Sequence, residues 1–140
     1  MRKLIYLGII IILLPACKQC EVPKNLVSEE ADKFSLNFFG LIYTGNIDSC
    51  LYYIEDPAQD DKAKIYLQNI HNDIRNWEIQ DTAIVSYSRN KNMSGGVTEN
   101  LYTITYDFTF DSAICKFEIT SDKADNIFLV RSFAFQFAEN

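Results

Sequence analysis

Between Tyr102 and Ile119 the chain alternates apolar and polar side chains with a period of two, and no other stretch restricts the fold so tightly. Tyr102, Ile104, Tyr106, Phe108 and Phe110 are interleaved with Thr103, Thr105, Asp107 and Thr109. After Asp111-Ser112, the residues Cys115, Phe117 and Ile119 are interleaved with Lys116, Glu118 and Thr120. Successive side chains of a strand point to opposite faces, so each run carries one apolar and one wet face. Folding the runs back at Asp111-Ser112 sets Phe108 opposite Cys115, Tyr106 opposite Phe117 and Ile104 opposite Ile119, with Asp107 beside Lys116 on the wet face. A slip of one residue would mix the faces, so the pattern specifies its own register. Asp-Ser is not the preferred two-residue hairpin turn, which leaves a four-residue loop open.

The same period extends on both sides. Ile79 to Arg89 reads as a preceding strand, and Asn90 to Asn100, with Gly95-Gly96, as a polar connecting loop. Ser121 to Asn126 reads as a turn. Ile127, Leu129, Phe133, Phe135 and Phe137 then form the inward row of a last strand, interrupted by Arg131.

Ahead of the strands the spacing changes to three and four. Val27, Ala31, Phe34, Phe38, Leu41 and Ile42 make one helical stripe, with Ser28 as its cap and Gly45-Asn46 as its end. Ile47, Cys50, Leu51 and Ile54 continue as a short second helix stopped by Asp56-Pro57. A third helix is expected from Asp60 to Trp77, with Ala63, Tyr66, Leu67, Ile70, Ile74 and Trp77 as its stripe. Helices followed by an antiparallel meander of about four strands, all apolar rows facing one way, define an α+β pair of layers.

The first residues follow a different logic. Met1-Arg2-Lys3 is positively charged, and Leu4 to Leu14 is an almost unbroken apolar run, the layout of an export signal. As a helix this run reaches roughly 16 Å, about half of a ~30 Å hydrocarbon core. Its end, Leu14-Pro15-Ala16-Cys17, resembles the lipobox of bacterial lipoproteins. That resemblance implies a signal peptide over residues 1–16, diacylglycerol on the thiol of Cys17 and a lipidated tether over residues 17–25. A single α+β domain would occupy residues 26–140. Lys18, rather than Asp, after the lipidated position favours the outer membrane of the cell envelope, by resemblance to the sorting rule of two-membrane bacteria.

Removing Arg2 and Lys3 with the signal leaves 11 of the 13 basic residues facing 19 acidic ones, so the net charge moves from −6 to −8. A domain this acidic repels nucleic acid and anionic lipid, and neither is expected as a partner. Ten Phe, eight Tyr and one Trp supply a core and argue against disorder beyond the tether.

The order of elements, together with Phe38-Phe39-Gly40, Tyr43-Thr44-Gly45-Asn46 and Cys50-Leu51, resembles the nuclear transport factor 2-like (cystatin-like) fold. That fold implies N-terminal helices packed on a curved antiparallel sheet, which can enclose a pocket for a ligand, an active site or only core.

Few residues suggest chemistry. Cys17-Lys18-Gln19-Cys20 has the CxxC spacing, but a lipidated Cys17 removes its redox chemistry. Cys50 and Cys115 fall on core-facing positions; in an oxidising compartment they could form a disulfide, and the alternative is two buried thiols that never meet. His71, the single His, lies beside the third helical stripe without an orienting carboxylate and is expected on the surface. No nucleophile elbow, His/Cys cluster or glycine-rich phosphate loop is present, so neither a cofactor nor a metal is expected. Arg131 has two readings: a side chain at the rim that reaches out to water, or the anchor for an anionic ligand in a pocket walled by Tyr102, Tyr106, Phe117 and Phe133.

The expectation is therefore a lipid-anchored, non-enzymatic domain that binds a protein, a peptide or a small apolar or anionic ligand. The alternative is a pocket enzyme of the isomerase or dehydratase type, which requires a carboxylate or His beside Tyr102 or Tyr106. A homodimer through the wet sheet face (Thr103, Thr105, Lys116, Glu118, Ser132, Gln136) is the third reading.

Overall fold

The computed structural model describes residues 21–56 and 60–139. The expected signal peptide, Cys17 and Cys20 lie outside the described residues. A 3₁₀ turn (Lys24–Leu26) precedes three helices, α1 (Glu29–Tyr43), α2 (Ile47–Leu51) and α3 (Asp60–Ile74). Four strands follow: β1 (Asp81–Ser94), β2 (Val97–Thr109), β3 (Ala113–Ala124) and β4 (Ile127–Glu139). They form one curved, unclosed antiparallel sheet in the order β1-β2-β3-β4, with the helices on its apolar face. The architecture is α+β.

Helix α1 begins where its chemistry dictates. The Ser28 hydroxyl accepts from the Ala31 amide at 3.4 Å, and Glu29, Glu30 and Asp32 occupy the positive end of the helix. Its end is fixed by Gly45 at φ +83, where the Gly45 amide donates to Ile42 and the Asn46 amide to Leu41. These two bonds satisfy carbonyls that the helix leaves open, and only glycine takes that φ without strain. Helix α2 stops at Leu51 and α3 at Ile74, each three residues short of the expected end. Trp77 lies beyond α3, held by a hydrogen bond from the Tyr43 hydroxyl to its carbonyl.

The central hairpin has the expected register: Phe108 pairs with Cys115, Tyr106 with Phe117, Ile104 with Ile119 and Asp107 with Lys116. The Phe110 amide donates to Ala113, closing a two-residue turn at Asp111-Ser112. The expected loop over 90–100 is instead strand. β1 and β2 pair continuously to Ser94 and Val97 around Gly95 (φ +59) and Gly96 (φ +82). Both faces of this arm are largely solvated, so hydrogen bonding forms the ladder without an apolar row to announce it. Likewise β3 runs to Ala124, and the turn narrows to Asp125-Asn126, both at positive φ.

The core is a stack of rings. Phe39 of α1 lies on Phe108 with centroids 3.8 Å apart, and Phe117 on Phe135 at 4.8 Å. Ala31, Phe38, Phe39 and Ile42 form the buried side of α1, against β2 and β3.

The last strand departs from its expected row. Ser121 pairs with Val130 and Thr120 with Ser132, which leaves Arg131 as an extra, unpaired residue, a β-bulge. The bulge shifts the phase of the strand by one. Before it Phe128 and Val130 face the core, and after it Phe133 and Phe135 do, while Ile127 is 60% exposed. A second bulge falls between Ile84 and Ser86.

Candidate functional site

The bulge decides what Arg131 can do. An uninterrupted strand would aim its side chain into the core; the extra residue turns it to the outer face of the sheet. There its Nε lies 2.5 Å from Glu55 Oε2, and Nη2 lies 2.9 Å from Asp122 Oδ2 and 3.0 Å from Glu99 Oε1. The hydrogen bond to Asp122 and the charges of Glu55, Asp122 and Glu99 hold the guanidinium above its ordinary pKa, against a smaller effect of desolvation. Three carboxylates already engage the cation, so Arg131 is not a vacant anion anchor. Of the two readings, the side chain is found at the sheet surface, 36% exposed, and not reaching into a core pocket.

The proposed pocket is corrected with it. Tyr106 and Phe117 are 1% and 0% exposed and stack on each other with centroids 6.2 Å apart. Tyr102 is buried against Phe128 at 5.8 Å. These three are core. Arg131 and Phe133 instead share a cleft of about 520 Å³ with Ile54, Glu55, Lys62, Tyr66 and their neighbours.

That cleft has a definite construction. The chain after α2 adds a short parallel bridge to the free edge of β4, with Val130 donating to Tyr53 at 2.7 Å and accepting from Glu55 at 3.3 Å. The Arg131–Glu55 ion pair clips the same segment from its side-chain end. Tyr66 of α3 forms the opposite wall, stacked over Phe133 at 5.9 Å and tilted on Phe135 at 6.2 Å. An aromatic wall with a charged rim suits an amphipathic ligand or peptide side chain.

A carboxylate does reach one of the tyrosines, from an unexpected element. The Tyr106 hydroxyl donates to Asp32 Oδ1 of α1 at 2.7 Å. Burial first, then the bond to Asp32, pushes the phenol well above its ordinary pKa, so it stays a protonated donor. Neither residue lines the cleft described above. Their bond fastens α1 to β2.

His71 is equally committed. Its Nδ1 lies 3.0 Å from the Ile42 carbonyl, and its ring packs where a Cβ on Gly45 would stand, at 3.0 Å. The imidazole therefore joins α3 to the end of α1. Cys50 and Cys115 are both buried and both free, so the structure contains no bridge between them. Burial pushes each thiol up to about 12, with Asp107 adding to the effect at Cys115.

On the wet face, Thr103 and Thr120 share a hydrogen bond of 2.9 Å, Thr105 donates to Glu118 at 3.4 Å, and Lys116 lies 3.9 Å from Asp107. These side chains satisfy one another across the strands.

Sequence reasoning missed Asp32, Glu55 and Glu99, each from an element remote from the residue it serves, and Asp122, which is on the neighbouring strand but faces Arg131 only with the bulge in place. One signal was available for the bulge. Phe128 and Val130 occupy even positions and Phe133, Phe135 and Phe137 odd ones, with Arg131-Ser132 between them.

No protein-family model matches the chain, and no curated protein or solved structure matches it either.

Proposed function

We propose that the protein is a bacterial lipoprotein, held on the cell envelope by acylation of Cys17, whose nuclear transport factor 2-like (cystatin-like) domain binds a ligand or a protein without transforming it. The Leu14-Pro15-Ala16-Cys17 run supports the anchor. One observation carries the binding reading: Tyr106, His71 and Arg131, the side chains suited to chemistry, each hold two elements together, whereas the Tyr66–Phe133 cleft stands open beside them. The ligand class is apolar with a polar end, matched by Tyr66, Phe133 and Ile54 on the wall and Lys62 and Asp56 on the rim.

Filling the cleft tests this directly. The acylated protein and an Ala63→Trp variant are purified from membranes and their bound material compared by mass spectrometry. A species present on the parent and absent from the variant is expected. The same species on both, or none on either, would count against the cleft.

The second reading, a pocket enzyme of the isomerase or dehydratase type, has the Tyr106–Asp32 contact in its favour. It requires substrate to reach a hydroxyl that α1 covers, and Asp32→Asn would then abolish turnover while leaving ligand binding at Tyr66 intact.

A further inference from the structure

The protein is acidic as a whole, yet three of its basic residues lie on β1 and on the turn docked along its edge. Arg89 and Lys91 sit on the helix-facing side of β1, where Arg89 lies over the Tyr102 ring at 5.4 Å and Lys91 is opposite Asn100. The 3₁₀ turn carrying Lys24 and Leu26 runs beside the same strand. Val22 donates to the Ile84 carbonyl at 2.7 Å before that turn, and the Ser28 amide donates to the Tyr87 hydroxyl after it. Lys24, Arg89 and Lys91 make no ion pair among the described residues, unlike Lys33, Lys64, Lys123 and Arg131. Glu29 and Glu30, the next acids along the chain, are tied to Lys33 and Lys123, which leaves Glu21 and Asp32 outside an ion pair, Asp32 being taken by the Tyr106 hydroxyl. Leu26 (63% exposed) and Met93 (77% exposed) add apolar side chains to the same face.

The anchor comes from the same place. Five Cα–Cα steps lead from Cys17 to Val22, the first docked residue among those described. Fully extended they span roughly 17 Å, little more than the ~14 Å radius of gyration of a domain this size. So short a leash presses the domain against whatever holds its end. Screening confines electrostatics to about 8–10 Å, so the charges nearest the surface decide the contact and the distant acids contribute little.

We infer that the Lys24–Leu26–Arg89–Lys91–Met93 face lies on an anionic bilayer surface, with the Tyr66–Phe133 cleft left clear of it. This rests on the lipoprotein reading. It also refines the expectation that a net negative domain avoids anionic lipid: the net charge is negative, but the face next to the tether is not.

The test reconstitutes the acylated protein on vesicles of phosphatidylcholine, alone or mixed with phosphatidylglycerol, and measures acetylation of individual lysines by mass spectrometry. On the anionic vesicles Lys24 and Lys91 are expected to react roughly fivefold more slowly, the equivalent of the ~1 kcal/mol a basic side chain gains beside an anionic surface. Lys64, paired with Asp48, should react equally on both, and high salt should erase the difference. The Arg89→Glu variant changes one exposed side chain and keeps Lys24 and Lys91 as reporters, so it should still float with the vesicles but lose most of the lipid-dependent slowing at both lysines. Equal labelling of Lys24 and Lys91 on the two vesicle types overturns the orientation while leaving the anchor standing. A protein that carries no acyl group and does not float overturns both.

Discussion

Single side chains in this domain act mainly as fasteners. The Tyr106 hydroxyl on Asp32 is buried and made to a carboxylate, so Tyr106→Phe should lower unfolding stability by about 1.5–3 kcal/mol in urea titration, the usual range for a hydrogen bond to a charged group. Gly45 stands at φ +83 with the His71 ring 3.0 Å from any added Cβ. Gly45→Ala should therefore cost about 1–2 kcal/mol from backbone strain alone, with the ring contact adding to it. The thiols give a pH signature. Cys50 and Cys115 titrate near 12 when folded, against an ordinary 9.0 when exposed. The unfolded chain thus loses these protons first as pH rises. The stability they contribute is complete below about pH 9 and drains away as pH climbs toward 12. Urea midpoints measured across that window should fall, and the Cys50→Ala, Cys115→Ala double variant should flatten the slope. Native protein should also resist thiol reagents at neutral pH and react fully in denaturant.

The elements were legible in proportion to how far one face of each is buried. The β2–β3 hairpin could be registered to the residue because Tyr106, Phe108, Cys115 and Phe117 are all core. The Ser28 cap and the Gly45-Asn46 end of α1 were equally plain, since both are local chemistry. The arm over residues 90–100 was not, because a ladder with two wet faces carries no hydrophobic period. β4 misled for the opposite reason: a strong aromatic row hid a one-residue change of phase. The cleft was legible only through Arg131 and Phe133, because its other wall, Tyr66, is brought there by the packing of α3 and its floor by the Ile54–Val130 bridge. Deleting Arg131 tests the bulge as an element. Without it, Val130, Ser132 and Phe133 alternate regularly and keep Ser121, Thr120 and Ile119 as partners, so a cooperative transition should survive, weakened by the loss of the Arg131 ion pairs. Arg131→Met keeps the backbone count and should retain a cooperative transition, weaker by about 1–3 kcal/mol because buried Asp122 loses its guanidinium and keeps only the Asn100 amide. A deletion that loses the cooperative transition while the substitution keeps it would show that the strand depends on its bulge and not only on the Arg131 side chain.

At the scale of the whole molecule, the aromatic domain carries its cleft at the β4 edge of the sheet, while the chain leading from the proposed anchor docks at the β1 edge. Tyr106, His71 and Arg131 each join two elements, in keeping with the binding role proposed above. The proposed anchoring depends on the thiol of Cys17 carrying lipid. The decisive measurement is the intact mass and vesicle flotation of the membrane-extracted protein beside a Cys17→Ser variant. The parent is expected to begin at Cys17, to carry the mass of a diacylglycerol and an amide-linked acyl chain, and to float, while the variant keeps its leader and loses all acyl mass. A parent with no mass beyond its amino acids, or a serine variant that still carries lipid, would contradict the account.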